Sequence, residues 1–164
     1  MRALQAKMKV VVPFSLDARM LEAVRVALFH ERVKPDCRLM SGETDYYDLV
    51  KSLWQSGEPF IINEHDIIPW PGAIKKLEDD ESPWSTFRYR SPAGWIEDGL
   101  GLVKFEPLRL PNIFAKEFDQ KHWSNLDVQI ARRLQANGIH PCVHSPAVSN
   151  LNPQMWHTSA KAAA

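Results

Sequence analysis

The fold is decided by the stretch at residues 59–69, which reads PFIINEHDIIP. It opens with an unbroken apolar run, and such a run is typical of a strand that is buried on both faces of a sheet. Two prolines, Pro69 and Pro71, end the extended segment. We therefore expect a central strand at residues 59–64 of an α/β sheet, followed by a short helix at residues 72–78.

The same stretch carries three polar side chains directly after its apolar run, namely Glu64, His65 and Asp66. On a regular strand Glu64 and Asp66 share a face, because successive side chains alternate between faces. Two carboxylates on one face repel each other unless a cation lies between them, and hard divalent cations prefer carboxylate oxygen. The pattern favours a metal site at the exit of the strand, where open α/β sheets bind their ligands. The alternative is that Asp66 caps a turn while Glu64 is solvated at the strand end.

The composition indicates one globular domain. The chain has 164 residues, of which 45% are hydrophobic and 24% charged, and these fractions are ordinary for such a domain. Lys plus Arg and Asp plus Glu number 20 each, whereas a general nucleic-acid binder would carry a basic excess. No apolar run approaches the ~20 residues of a membrane span. Because Cys37 and Cys142 make no obvious disulfide framework, we expect a cytoplasmic protein without a membrane span.

The charges are distributed unevenly along the chain. Residues 42–100 hold twelve acidic and five basic side chains, whereas residues 1–41 and 101–164 are both net basic. The acidic middle segment includes Glu64 and Asp66. An anionic substrate could therefore approach these two side chains only with a bridging cation.

Strand-like and helix-like segments alternate in the first half of the chain. Apolar and β-branched runs predict strands at residues 9–14, 37–40, 59–64, 84–90, 102–105 and 142–144. Helical periodicity predicts helices after the first strand and at about residues 45–56, 72–78, 110–118 and 124–134. This order indicates an α/β sheet with a largely parallel first half. We expect one domain at residues 1–150 and an irregular tail at residues 151–164.

This succession of elements resembles the nucleotide-sugar-binding half of the GT-A glycosyltransferases over about residues 9–144. Glu64-His65-Asp66 stands where that fold carries its Asp-x-Asp motif, with Glu as the first acid. Residues 99–105, GLGLVKF, look like the glycine-rich strand that follows the motif and faces the acceptor. Residues 123–127, WSNLD, look like the helix start that supplies an acceptor-side acid, and Val143-His144 looks like the late histidine of the metal site.

The resemblance implies a metal-dependent glycosyltransferase, such as a hexosyltransferase, that takes its sugar from a nucleoside diphosphate donor. It implies a GT-A-like, Rossmann-like fold with a mostly parallel sheet flanked by helices, in a minimal single domain. The implied Mn²⁺ or Mg²⁺ would be held by Asp66, Glu64 and His144 and would neutralise the departing diphosphate. Asp127 would accept the proton of the acceptor hydroxyl. The acceptor is left open among glycans, small molecules and modified nucleic-acid bases.

Other side chains could contact the donor. Arg88 could meet phosphate, or it could merely offset the acidic turn at residues 78–81. Most of the six tryptophans are expected in the core. An aromatic side chain near the site, namely Trp70, Trp84 or Trp95, could stack on the sugar or base. We predict Arg88 and Trp95 as donor-binding residues.

Two patterns have a second interpretation. Ser124-x-x-Asp127 is also a capping box, in which Asp127 would reach back to the start of its own helix. His140, Cys142 and His144 are spaced two apart and could bind zinc from one face of a strand. An intervening proline disturbs that strand, however, and no fourth ligand is evident.

Two other functions fit the same residues. A metal-dependent phosphohydrolase or nucleotidyltransferase would use the same carboxylates together with further acids, such as Asp45 or Asp98. A non-catalytic module would bind a sugar nucleotide without transferring its sugar. Metal-dependent binding of the intact donor without turnover would favour the module, and nucleotide release that needs no acceptor would indicate hydrolysis.

Overall fold

The structure, a computed structural model, describes residues 8–15, 21–91, 94–145 and 148–150. Its strands are β1 Lys9–Phe14, β2 Asp36–Leu39, β3 Phe60–Asn63, β4 Ile67–Pro69, β5 Trp84–Phe87, β6 Tyr89–Ser91, β7 Gly94–Ile96, β8 Leu102–Phe105, β9 Cys142–His144 and β10 Val148–Asn150. Its α-helices are α1 Leu21–His30, α2 Asp45–Ser56, α3 Ala73–Asp79 and α4 Leu126–Gln135, and short 3₁₀ turns lie at Pro107–Arg109 and Trp123–Asn125.

Six of these strands form one sheet in the order β2-β1-β3-β8-β5-β9. Strands β2, β1 and β3 are parallel, β8 is antiparallel to both of its neighbours, and β9 is parallel to β5. Among the described residues β8 is therefore the strand of this sheet that runs against the others. The expected mixed, mostly parallel sheet with flanking helices in one domain is confirmed.

The sheet is covered on both faces, as its apolar strands require. Side chains alternate between the two faces along each strand. Val11 and Ile62 therefore lie in one hydrophobic cluster, together with the apolar faces of α2 and α4. Val12 and Ile61 lie in the other cluster, with α1 and α3. All of β3 is buried, so the predicted central buried strand is confirmed.

The first two helices follow the predicted pattern closely. Val24 and Leu28 of α1 are buried against the sheet, and α2 buries its predicted apolar face. α2 ends where Gly57 adopts a left-handed φ of 74° and donates its N–H to the carbonyl of Trp54. A residue with a side chain would be strained there, which explains why glycine ends this helix.

The helix expected at residues 110–118 does not form, so that prediction is wrong. The Asn112 side chain accepts a hydrogen bond from the N–H of Phe114, and its carbonyl accepts one from Ala115. These local turn bonds compete with helical ones. The apolar spacing nevertheless predicted burial correctly, because Ile113, Phe114 and Phe118 all pack in the cluster that contains α2 and α4.

One structural feature was not predicted from the sequence, and one predicted segment is not described by the structure. A short ribbon of β4 and β10 follows the acidic turn after β3. The predicted tail at residues 151–164 lies outside the described residues. Within the described part of the chain, every helix is too short or too polar to cross a membrane.

Candidate functional site

A cleft of about 340 Å³ opens at the carboxyl ends of β1, β2 and β3. The chain passes from β1 to β2 on one side and then returns to place β3 on the other side of β1. This is the topological switch point at which open α/β sheets bind ligands. The cleft is lined by Pro13, Phe14, Ser15, Met40, Ser41, Gly42, Glu43, Tyr46, Glu64, His65, Asp66 and Trp123.

The two predicted acids enter this cleft from a turn rather than from a strand. β3 ends at Asn63, and the N–H of Ile67 donates to the carbonyl of Glu64 at 3.1 Å. The buried Asn63 side chain donates from Nδ2 to the carbonyls of Glu64, at 2.9 Å, and Ile67, at 2.8 Å. The expectation that Glu64 and Asp66 share the face of a regular strand is therefore wrong. Asn63 instead fixes the turn that brings both carboxylates to the cleft.

Glu64 is held in a polar but poorly solvated position. The hydroxyl of Tyr46, on α2, donates to Glu64 Oε1 at 2.9 Å. Burial, together with the nearby charges of Asp66 and Asp127, raises the pKa of Glu64 to about 8. Of the cleft-lining residues that the structure describes, none is Lys or Arg. Glu64 follows the end of β3 and is only partly exposed, so it is less fully solvated than the alternative interpretation required.

Asp127 belongs to the same electrostatic cluster. It lies in the first turn of α4, and its Oδ1 accepts a hydrogen bond of 2.7 Å from the N–H of Val128. The N–H of Ser124 instead donates to Nδ1 of the His122 ring, with the two nitrogens 3.2 Å apart. The capping-box interpretation of Ser124 and Asp127 is therefore wrong. Burial raises the pKa of Asp127, and the charge of Asp98 raises it further.

Tyr89 connects the glycine-rich segment to the acids. A Cβ atom on Gly99 would lie 2.3 Å from the Tyr89 hydroxyl, and one on Gly101 would lie 2.5 Å from its ring. Burial raises the pKa of Tyr89, as do the charges of Glu64, Asp127 and Asp66. Positions 99 and 101 therefore need glycine so that this ring can reach the acidic cluster. Sequence reasoning missed Tyr46 and Tyr89, since neither belongs to a motif.

His144 lies elsewhere, so the prediction that it completes the metal site with Glu64 and Asp66 is wrong. Its strand, β9, is three strands from β3, a separation of about 14 Å. Its ring packs against Phe87 and its Nε2 lies 2.6 Å from Asp80 Oδ2. Phe87 faces α1 and α3, whereas Glu64 is bonded to α2 on the opposite face. Side-chain alternation along β9 thus turns His144 away from the cleft.

Arg88 and Trp95 do not line the cleft either, and the prediction that they bind the donor there is wrong. The Arg88 guanidinium lies 4.8 Å from the centroid of the Trp95 ring. Trp95 instead borders a hollow that also contains Gln135 and His140. The aromatic wall of the cleft comes from Trp123, which is 57% exposed. The sequence could have indicated Trp123 as a cleft residue, because it lies just before the start of the helix that carries Asp127.

The donor set of the cleft suits a cation that is only partly held by protein. Glu64 and Asp66 offer hard carboxylate oxygens, which are the ligands of Mg²⁺ and Mn²⁺. Among the described residues, no third His, Cys, Asp or Glu ligand atom joins them within 4.8 Å. Mg²⁺ commonly binds through one or two carboxylates together with substrate phosphates. The residues present therefore fit a divalent cation that arrives with a phosphorylated ligand.

Comparison with known proteins supports the fold. No protein-family model matches the chain, and no curated protein matches it. Among solved structures, the chain is similar to the crystal structure of A197 from STIV, with a TM-score of 0.52. The two are 8% identical, and the match covers 86% of this chain and 83% of that chain. At this identity the likeness shows a shared fold and nothing about function.

Proposed function

We propose that this protein is a metal-dependent glycosyltransferase with a GT-A-like fold, which moves a sugar from a nucleoside diphosphate donor to an acceptor. One observation carries the proposal: the Glu64-His65-Asp66 turn lies in a cleft at the switch point of the sheet. The order of the acid turn, the glycine segment and Asp127 along the chain supports the same family resemblance.

The cation of this reaction is Mn²⁺ or Mg²⁺, with Asp66 and Glu64 as its protein ligands. When bound, such an ion neutralises the diphosphate that leaves the sugar. Glu64 and Asp66 would hold such an ion, and the diphosphate would supply further oxygen ligands. Since the described lining residues include no Lys or Arg, the cation supplies positive charge that the donor's diphosphate needs. The donor and the metal are thus expected to bind together.

The remaining roles fall to the apolar walls of the cleft and to Asp127, which is not one of its lining residues but adds to the charge felt by Glu64. Phe14, Met40 and Trp123 supply apolar surface on which a nucleoside base can stack. Asp127 accepts the proton of the acceptor hydroxyl as that oxygen forms its bond to the sugar C1 atom. The bond from C1 to the diphosphate oxygen breaks in the same reaction, and the diphosphate carries away its electron pair.

The test begins with calorimetry of the full chain against UDP, GDP and their common sugars, with and without Mn²⁺. The expected result is binding of one nucleotide class only in the presence of Mn²⁺. The matched variants are Asp66→Asn and Asp48→Asn, because Asp48 is an exposed acid on α2. Only Asp66→Asn should remove the metal-dependent part of nucleotide binding.

Product analysis then identifies the reaction. Sugar transfer to an acceptor, detected by mass spectrometry, supports the proposal. Donor hydrolysis that needs no acceptor and never yields a transferred product would replace it with a phosphohydrolase. Metal-dependent binding of the intact donor without any turnover, across a panel of glycan, small-molecule and nucleic-acid acceptors, would replace it with a binding module.

A further inference from the structure

A second group of ligand-type side chains lies away from the cleft. Asp80, Cys142 and His144 each offer one ligand atom, and these three atoms lie within 4.8 Å of one another. Cys142 and His144 come from β9, two residues apart and hence on one face. Asp80 directly follows α3. The group therefore joins the edge strand of the sheet to the end of the helix that covers it.

The three side chains are well shielded but remain reachable. The side chains of Asp80 and His144 are only 9% and 14% exposed, and Cys142 is partly buried. Asp80 and His144 border a shallow hollow that also contains Gly72, Lys76 and Asp79. A small ion can enter through this hollow, and the surrounding protein would then shield it from solvent.

The arrangement does not match a cysteine nucleophile with its base. In such a relay the thiol bonds to the imidazole, and the imidazole bonds through its other nitrogen to the carboxylate. Here His144 Nε2 lies 2.6 Å from Asp80 Oδ2, and the Cys142 thiol is hydrogen-bonded to Asp80 as well. Thiol and imidazole thus converge on one carboxylate. A convergent set of sulfur, nitrogen and oxygen is the donor set of a metal ion.

We propose that Asp80, Cys142 and His144 bind one Zn²⁺ ion, with water in the fourth position. Cysteine sulfur, histidine nitrogen and carboxylate oxygen are the ligands that zinc takes in tetrahedral sites. Binding releases the Cys142 thiol proton to solvent, and the neutral imidazole of His144 donates its electron pair to the metal. The ion ties β9 to the end of α3, on the opposite face of the sheet from the cleft.

His140 is not part of this site. It precedes β9 and is exposed, and it borders the hollow that contains Trp95. The spacing of His140, Cys142 and His144 alone would have selected the wrong third ligand. Asp80 is separated from Cys142 by more than sixty residues, and only the parallel pairing of β9 with β5 brings it close.

The test uses Co²⁺ as a spectroscopic substitute for Zn²⁺ in the full chain after treatment with EDTA. A thiolate ligand gives Co²⁺ a sulfur-to-metal charge-transfer absorption, which carboxylates of the cleft cannot produce. We expect this absorption in the wild type and in the matched controls Cys37→Ser and His140→Gln. We expect its loss in Cys142→Ser, and Zn²⁺ affinity at least about tenfold weaker in His144→Gln and Asp80→Asn.

A second measurement avoids variants altogether. Zn²⁺ should slow the alkylation of Cys142 by iodoacetamide at least about tenfold and leave the rate at Cys37 unchanged, as read by mass spectrometry of the peptides. Equal alkylation rates at Cys142 with and without Zn²⁺ would overturn the proposal. So would a charge-transfer band that is absent from the wild type or persists in folded Cys142→Ser.

Discussion

Two shielded carboxylates on opposite faces of the sheet, Glu64 and Asp80, experience opposite environments. Burial and the charges of Asp66 and Asp127 raise the pKa of Glu64 to about 8. Burial also acts to raise the pKa of Asp80, but hydrogen bonds from Ser82, Cys142 and His144 outweigh it, and the pKa of Asp80 is lowered. One carboxylate is surrounded by like charges and the other by hydrogen-bond donors.

The difference separates two kinds of cation site. In the cleft, burial and like charges favour a proton on Glu64, so an ion that binds together with an anionic ligand takes the place of that proton and relieves the repulsion. At Asp80, the donors already satisfy the carboxylate, so an ion must first displace their protons. We therefore expect exchangeable, ligand-dependent metal in the cleft and a metal that depends on deprotonated ligands at Asp80.

The largest expected effect follows from Asp66→Ala. This change should abolish Mn²⁺-dependent nucleotide binding and shift the melting temperature little, because it removes one of two repelling acids. Calorimetry and thermal unfolding measure the two quantities. Asp80→Ala serves as the contrast and should leave nucleotide binding intact. Unchanged affinity of Asp66→Ala in Mn²⁺ would end the assignment of Asp66 as a ligand.

The next largest effect concerns Asp127→Asn. General-base assistance is typically worth about 10²–10⁴ in rate, so sugar transfer should fall by that factor while donor affinity persists. The control is Asp119→Asn, an exposed acid shortly before α4, which should leave turnover unchanged. A folded Asp127→Asn protein with full activity would exclude a catalytic role for this side chain.

Glu64→Gln and Asp80→Asn should change the stability of the metal-free protein in opposite directions. The folded pKa of Glu64, about 8, lies above its ordinary value of 4.5. Between these two pH values the folded state binds more protons than the unfolded state. The free energy of unfolding of the wild type therefore falls as the pH rises from 4.5 to about 8. Glu64→Gln removes that loss and should raise the free energy of unfolding by about 2–4 kcal/mol above pH 8, with little change below pH 4.

For Asp80, the dependence of stability on pH has the opposite sign. Its folded pKa lies below the ordinary value, so its stabilising contribution is present at neutral pH and is lost as pH falls through that lowered pKa. Asp80→Asn should therefore destabilise the protein by about 1–2 kcal/mol at pH 7, through weaker hydrogen bonds to Ser82 and His144. Urea denaturation in EDTA at a series of pH values measures both variants, and equal signs would refute the contrast.

The smallest expected effect distinguishes two tryptophans. Trp123 lines the cleft and Trp95 does not. Aromatic stacking is worth about 0.5–1.5 kcal/mol, so Trp123→Ala should weaken nucleotide binding about threefold to tenfold. Trp95→Ala should leave it unchanged. The reverse result would restore the sequence-based assignment of Trp95 as a donor contact.

Local patterns allowed most of the fold to be predicted. The apolar run at residues 59–62 and the helical face of α2 are local sequence patterns, so they can be recognised without tertiary information. Residues 110–118 failed because their apolar spacing also suits an irregular segment with buried side chains. Asn112 then stabilises turns where helical bonds were expected.

The candidate site could be predicted only where its residues stand in one segment. Glu64 and Asp66 were found because they flank a single position after a buried strand. His144 was misplaced because strand order and facing depend on pairing that no local pattern encodes. Tyr89 escaped notice for the same reason, since its contact with Gly99 and Gly101 connects two separate segments.

The position of β8 between β3 and β5 has a consequence for the chain as it leaves the ribosome. Strands β1, β2 and β3 are close in sequence and can pair early, but the free side of β3 waits for Leu102–Phe105 to be synthesised. Until then, Phe60, Ile61 and Ile62 present an apolar strand edge of the kind that templates aggregation. Pairing can cover that edge only after about forty further residues have been synthesised.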